Sequence, residues 1–327
     1  MRVLITGITG MVGSHMADYI LAEHPDVHIH GMLRWRSPRN NIANIVDQVT
    51  LHHADLHDLN SLILLMKEAK PDRIFHLAAQ SYVVDSFFQP AETLAVNVIG
   101  TTNLLDAIRH AEIDPLIHIC SSSEVYGQVL ENEVPIRENN SLRPASPYAV
   151  SKVGEDMIAM QYYLSYGLKT IRTRMFTHTG PRRGDVFAES SFAKQIAEIE
   201  AGVHEDGKLK VGNLDSIRTF SDVRDAVHAY WLLLEKCTPG EVYNIGGEQT
   251  MTIGEMLDML KAEATCEIRH EIAPALLRPS DVTLQIPDIT KFREATGWRA
   301  KISVEQTMKD LLDYHRMKVN LDKLPRL

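Results

Sequence analysis

Arg2-Val-Leu-Ile-Thr-Gly-Ile-Thr-Gly-Met-Val-Gly13 is the stretch that decides the fold. Residues 2–6 are a short run rich in β-branched and apolar side chains, and glycines at 7, 10 and 13 follow at once. Residues 12–23 (VGSHMADYILAE) then carry apolar side chains at helical spacing. A strand that turns through G-x-x-G-x-x-G into a helix gathers backbone N–H groups at the positive end of the helix dipole, where a pyrophosphate binds. The glycines let the backbone turn tightly and approach the phosphate oxygens. Gly7, Thr9, Gly10, Met11, Val12 and Gly13 are the candidate contacts.

Outward from this loop, short apolar runs alternate with helix-length segments. The pattern predicts strands at 27–33, 73–79 and 116–122, helices near 58–69 and 90–111, and later strands at 168–176 and 241–247. Such alternation implies a parallel sheet with helices on both faces, a Rossmann-type doubly wound α/β fold. The second half is less regular. It holds helical stretches at 191–202 and 251–264, and a short strand with a Pro-flanked loop within 265–280. The expected division is a dinucleotide-binding domain over 1–176 with a returning segment at about 216–247. A smaller α/β substrate lobe would come mainly from 177–215 and 248–327.

Composition narrows the function. The chain has 327 residues, 34 Lys and Arg against 43 Asp and Glu, and a net charge of −9, which argues against a general nucleic-acid binder. Hydrophobic residues at 44% and charged residues at 24% are globular proportions. Three cysteines without CxxC spacing read as reduced thiols. No apolar run reaches the about 18 residues of a membrane span, and the N-terminus lacks a signal-peptide layout. A cytoplasmic protein is expected. Of the 15 histidines, His52, His53, His57 and His76 do not form an HxxxH or HExxH pattern on one helix, so no metal site is expected.

The strand ends carry the chemistry. The second strand ends Gly31-Met-Leu-Arg-Trp-Arg36, with no acid to hold a ribose 2′-hydroxyl. Arg34 and Arg36 can instead pair with a 2′-phosphate, which favours NADP over NAD. The strand at 116–122, read as the fourth of the parallel set, ends in Ser121-Ser-Ser-Glu-Val-Tyr-Gly127. Tyr148 and Lys152 form Y-x-x-x-K, four apart and so on one helical face. The ammonium is expected to lower the tyrosine's pKa, which makes it a proton carrier near neutral pH. Ser122 can hydrogen-bond a substrate oxygen. Glu124 adds a carboxylate able to remove a proton beside a carbonyl and to protonate a leaving hydroxyl.

Longer stretches carry a resemblance: HLAAQSYVVDSFFQP (76–90), SSSEVYG (121–127), SPYAVSK (146–152), GPRRGDVF (180–187), VGNLDSIRTFSDVRDAVHAYW (211–231) and RPSDV (278–282). With them the chain resembles the extended short-chain dehydrogenase/reductase family over nearly its whole length. Within it, the chain is similar to the GDP-mannose 4,6-dehydratase family and the related GDP-4-keto-6-deoxy-mannose reductases.

The resemblance implies roles. Ser122 and Glu124 fall on the active hydroxyl–carboxylate pair, and Tyr148 and Lys152 on the family's tyrosine and lysine. Asp55 and Leu56 match the adenine loop, and Leu77, Ala78, Ala79 and Gln80 the strand end beside the cofactor ribose. Ser81, Ser86, Ser123, Thr177, Arg183, Lys194, Arg218 and Arg278 match the nucleotide-sugar site. Serine at 122 stands where the dehydratases usually have threonine, and Thr177 where they usually have asparagine. The implied activity is conversion of GDP-mannose to GDP-4-keto-6-deoxy-mannose by an internal hydride shuttle on NADP. The alternatives are reduction of that 4-keto sugar by NAD(P)H, or action on another nucleotide sugar as dehydratase or epimerase. A non-catalytic dinucleotide sensor on the same fold is the rival of another class. The resemblance further implies a homodimer or homotetramer built through the helices near 90–111 and from about 147.

Overall fold

The first strand, β1 (Arg2–Thr6), buries Val3, Leu4, Ile5 and Thr6 completely. A run buried on both faces belongs in the middle of a parallel sheet. The computed structural model describes residues 1–204, 207–277 and 282–322. After β1 come α1 (Met11–Glu23), β2 (His28–Leu33), β3 (Thr50–His53), α2 (Leu59–Ala69) and β4 (Arg73–His76). Next are α3 (Val83–Phe88) and α4 (Pro90–Leu94), which a π-turn over Ala95–Ile99 joins to α5 (Gly100–His110). Then follow β5 (Leu116–Ser122), α6 (Pro147–Tyr166) and β6 (Lys169–Met175).

β7 (His178–Thr179), α7 (Ala188–Glu200), β8 (Lys208–Val211), β9 (Ile217–Thr219) and β10 (Ser221–Asp222) lead to α8 (Val223–Lys236). The chain continues through β11 (Val242–Ile245), β12 (Thr250–Thr252), α9 (Ile253–Ala262), β13 (Arg269–Ile272), β14 (Leu284–Gln285), α10 (Thr290–Thr296) and α11 (Val304–Asp322).

The main sheet has the order β11-β6-β5-β4-β1-β2-β3, and all its pairings are parallel. The doubly wound fold is therefore present. Its strand order reverses at β1, between β2 and β4, so the crevice at their carboxyl ends is the expected ligand position. Two apolar clusters cover the sheet, one including Ile5, Phe75, Tyr230 and Trp231, the other Leu4, Ile74, Leu104 and Ile117. A third cluster, around Phe192, Leu209, Met256 and Leu311, is the core of the smaller lobe.

Two sequence expectations are corrected here. β3 (TLHH) was not anticipated, because its polar composition lacks a strand signature, so the strand ending at Ser122 is the fifth in chain order. β9 pairs with β12 and β14 in a lobe sheet, and the return to the main sheet is made by α8 and β11. Ile289, Phe292 and Trp298, around α10, also pack into the first core.

Candidate active site

At the switch point the chain closes a glycine loop onto α1. Gly7 has φ +71°, the left-handed region, and Gly10 N donates to Gly7 O at 3.0 Å. An added Cβ on Gly13 would lie 2.3 Å from Gly7 O, so only glycine lets the helix meet the loop this closely. Asn41, which sequence reasoning missed, braces the loop by donating from Nδ2 to Thr9 O at 2.9 Å.

The end of β4 is tied to the same loop. Thr6 Oγ1 accepts from Leu77 N at 3.0 Å and Ala78 N at 3.1 Å and bonds His76 Nδ1 at 2.9 Å. His76 Nε2 bonds Thr101 Oγ1 at 2.9 Å, and burial pushes its pKa down to about 3. Asn97, in the π-turn, accepts from Gln80 N at 2.8 Å and donates to Gln80 O at 2.9 Å and Ser151 Oγ at 2.8 Å. This buried amide joins the end of β4 to α6. It too was missed, since nothing in its local sequence announces such a bridge.

Tyr148 and Lys152 occupy the first turns of α6. The helix starts sharply because Ser146 Oγ accepts from Ala149 N at 3.1 Å and Pro147 fills the first position. Ser122 ends β5, and its hydroxyl accepts from Glu124 N at 3.2 Å, capping the short turn that carries Glu124. Lys152 Nζ donates to Cys120 O at 2.8 Å and to Glu155 Oε2 at 2.7 Å.

Burial pushes Tyr148 above its ordinary pKa, against the pull of Lys152 and of a hydrogen bond with Ser122. The lowered tyrosine expected from sequence is thus corrected: desolvation outweighs the lysine. Burial presses on the Lys152 ammonium too, but Glu155 first, with Tyr148 and Cys120, more than restores it, so its pKa lies above normal. Burial pushes Glu155 up to about 7, against Lys152's pull.

Ser122, Glu124, Tyr148 and Lys152 line a cleft of about 1080 Å³ that runs from the glycine loop into the smaller lobe. It gathers Gly7, Thr9, Gly10, Met11, Val12, Gly13 and Arg34 at one end, and Asp55 and Leu56 beside them. Leu77, Ala78, Ala79, Gln80 and Ser81 form the wall from β4, and Ser122, Ser123, Glu124, Tyr148 and Lys152 the middle. Thr177, Arg183 and Arg218 line the lobe end. His178, not anticipated, also lines it, and burial with Arg183 nearby pushes its pKa down to about 4. Arg183 stacks its guanidinium 3.5 Å from the Phe187 ring centroid and pairs with Glu189 at 3.2 Å. Arg218 donates to Ile217 O at 3.0 Å and to Val282 O.

Three expected residues stand elsewhere, and a fourth lies outside the described residues. Arg36 is exposed and does not line the cleft. Ser86 is fully buried outside the lining, and its hydroxyl donates to Val83 O at 2.6 Å and accepts from Tyr148 N at 3.1 Å. It supports the start of α6 rather than touching a ligand. Lys194 is outside the lining and pairs with Asp185 at 3.1 Å. Arg278 lies outside the described residues. Ser123 reaches the lining, but its hydroxyl donates to Gln285 Oε1 at 2.7 Å, which joins β5 to β14. Among the described residues no group of three His, Cys, Asp or Glu is placed to hold a metal ion, and no helix is long and apolar enough to cross a membrane.

A family model described as GDP-mannose 4,6 dehydratase matches residues 4–311. The chain is 33% identical over 311 residues to the GDP-6-deoxy-D-mannose reductase of Pseudomonas aeruginosa, covering 95% of this chain and 96% of that one. It is also 33% identical over 353 aligned positions to the GDP-mannose 4,6-dehydratase of Yersinia enterocolitica, covering 95% and 92%. The solved structure of RMD from Pseudomonas aeruginosa complexed with NADPH superimposes with a TM-score of 0.85 at 32% identity, over 97% of this chain and 99% of that one.

Proposed function

The chain belongs to the GDP-mannose 4,6-dehydratase family, and from that premise we propose that it converts GDP-mannose to GDP-4-keto-6-deoxy-mannose on a bound NADP. The observation that carries this reading is Glu124. A reductase of this architecture needs serine, tyrosine and lysine, whereas this cleft brings a carboxylate to the same place.

The residues fit a dinucleotide. The Gly7–Gly13 loop leaves no room for a Cβ at Gly13 and opens the 13-residue helix α1 toward the cleft. Arg34, at the end of β2 without a competing acid, would pair with a 2′-phosphate, which selects NADP; NADPH is the ligand of RMD. A bound nicotinamide supplies hydride acceptance and return. The chain's own groups do the rest. Tyr148 takes the proton from the C4 hydroxyl, and Lys152 holds the tyrosine and the cofactor ribose. Ser122 hydrogen-bonds the same oxygen as its charge develops. Glu124 removes the C5 proton, acidified by the new 4-keto group, and hands a proton to the departing C6 hydroxyl. Arg183 and Arg218 lie at the lobe end, where charge-assisted contacts would hold a diphosphate despite the net charge of −9. The main sheet therefore serves the dinucleotide and the lobe the nucleotide sugar.

A second reading is the 4-keto reductase. It is favoured by the gap-poor alignment with the Pseudomonas reductase, 311 positions against 353 with the Yersinia dehydratase. A buried, protonated Tyr148 also suits a proton donor. Incubation with GDP-mannose, following the sugar and absorbance at 340 nm, separates them. A 4-keto-6-deoxy product without net NADPH change supports the dehydratase. Inert GDP-mannose, with NADPH consumed on the 4-keto sugar, supports the reductase.

The cytoplasm is the compartment this reading calls for, in line with three free cysteines. A homodimer, or a homotetramer built from it, would cover the exposed apolar side chains Leu94, Ile99, Val150, Met157 and Leu164 on the helices of 90–110 and α6.

A further inference from the structure

Glu155 follows Lys152 by one helical turn and is 1% exposed. Its Oε2 accepts from Lys152 Nζ at 2.7 Å, and its Oε1 is buried with no hydrogen-bond partner among the described residues. A half-satisfied buried carboxylate is a costly group, and a buried ion pair is rarely a stability device, since apolar side chains of similar size serve as well or better. Its neighbour Asp156 differs. That carboxylate is met by Arg172 and Arg174, each at 2.7 Å, and both cations are spent there. Among the described residues Lys152 is the cation in contact with Glu155.

Other titratable groups surround the pair. Cys120 and His118 come from β5, His76 from β4, Tyr148 and Asp156 from α6 itself, and Arg172 and Arg174 from β6 through Asp156. Glu124, on the turn after β5, packs near α6, and Tyr230 of α8 reaches Cys120 and Tyr148. Burial keeps His76 and His118 neutral, down to about 3 in each case. Burial also keeps the Cys120 thiol and the Tyr230 phenol protonated. Glu155 is therefore the carboxylate paired with Lys152, while Asp156 is engaged by Arg172 and Arg174.

An ammonium has three N–H donors. Glu155 and the Cys120 carbonyl take two of them, which fixes Lys152 and leaves one for Tyr148 or a ligand hydroxyl. We infer that Glu155 is a positioning residue for the Tyr148–Lys152 pair: its buried carboxylate anchors Lys152 and sets how much of the lysine's charge reaches the tyrosine hydroxyl. The Y-x-x-x-K pattern thus extends to Y-x-x-x-K-x-x-E in this chain, with the last position controlling the first through the second. The inference rests on Tyr148 and Lys152 being the reacting pair, but not on which sugar they meet.

The test reads the proton on Tyr148 directly, in the full chain. Tyrosine labelled at 13Cζ is titrated by NMR, and the Tyr148 signal is assigned by its loss in Tyr148→Phe. In Glu155→Gln the Lys152 charge is no longer offset, and the Tyr148 titration is expected to move toward neutral pH by about one unit, a tenfold rise in phenolate at a given pH. Glu155→Asp keeps the charge but shortens its reach, and an intermediate movement is expected. It decides the matter should the glutamine variant fail to fold. A Tyr148 titration unchanged or moved upward in the folded variants overturns the inference. Because no sugar is present, inactivity toward GDP-mannose bears on the proposed function and leaves this result standing.

Discussion

Gly13→Ala and Gly10→Ala, compared side by side, ask whether the first loop is a built cradle. A Cβ on Gly13 would meet backbone only: Gly7 O at 2.3 Å, and Gly7 C and Ile8 Cα at 2.8 Å. Ordinary contact begins near 3.4 Å, so the loop must open by about 1 Å. It cannot open freely. Gly7 O is held by Gly10 N at 3.0 Å, and the Cβ direction of Gly7 already points at Ala78 backbone 3.0 Å away. Such overpacking costs about 1–3 kcal/mol, and the better helix propensity of alanine returns up to about 1 kcal/mol. The expected net loss is about 1–2 kcal/mol, a fall in Tm of roughly 1.5–3 °C.

Gly10 is different. Its φ is −75°, and the closest atom to an added Cβ is Gly7 O at 3.3 Å, so alanine fits with a change below about 0.5 kcal/mol. That methyl would nonetheless stand at the N-terminus of α1, on the approach of a pyrophosphate. Thermal melts and an NADPH fluorescence titration read the two effects. Gly13→Ala is expected to lose both stability and binding. Gly10→Ala is expected to keep its Tm but bind NADPH about tenfold more weakly, about 1.4 kcal/mol. Wild-type NADPH affinity in Gly10→Ala, or a wild-type Tm in Gly13→Ala, would refute the reasoning.

Other predictions follow from the same structure. Arg34→Glu should weaken NADPH binding by tenfold or more while sparing NADH, since a charge-assisted bond is worth about 1.5–3 kcal/mol; Arg36→Glu, outside the cleft, should do much less, as parallel titrations would show. Asp156→Ala strands the buried Arg172 and Arg174, and urea melts should show a loss of about 3–5 kcal/mol. Acid should destabilise the fold through four neutral histidines, the buried His76 and His118 at about 3 and the half-buried His178 and buried His315 at about 4. Burial is the main cause in each, and the folded value is depressed, so the stabilisation is complete above the unfolded pKa of about 6.5 and is lost as pH falls toward 4 and then 3. The loss is at most about 1.4 kcal/mol per unit for each group; equal urea midpoints at pH 7.5 and pH 5 would contradict it.

Much of this was legible in the sequence because the signals were local. The β1 strand, the glycine loop and α1 adjoin one another, and the Y-x-x-x-K spacing places Tyr148 and Lys152 on one helical face. What escaped acts across distance. Asn97 bridges Gln80 to Ser151 over 17 and 54 residues, and Asn41 braces Thr9 from 32 residues away. Edge strand β3 escaped because its polar residues carry no strand pattern. Motif matching also could not tell which way a side chain turns. Ser86 lies in a stretch that resembles the sugar site, yet its hydroxyl is used up by backbone beneath it. Nor could spacing weigh burial against charge, which is why Tyr148 ends above its ordinary pKa although Lys152 is in place.

If Glu124 carries the C5 proton in a dehydration, turnover of GDP-mannose in deuterium oxide, read by NMR of the product, will reveal it. One solvent deuterium is expected at C5 of a 4-keto-6-deoxy product, with loss of both product and label in Glu124→Gln and NADPH binding intact. A 4-keto-6-deoxy product without deuterium at C5, or full turnover in Glu124→Gln, would contradict it.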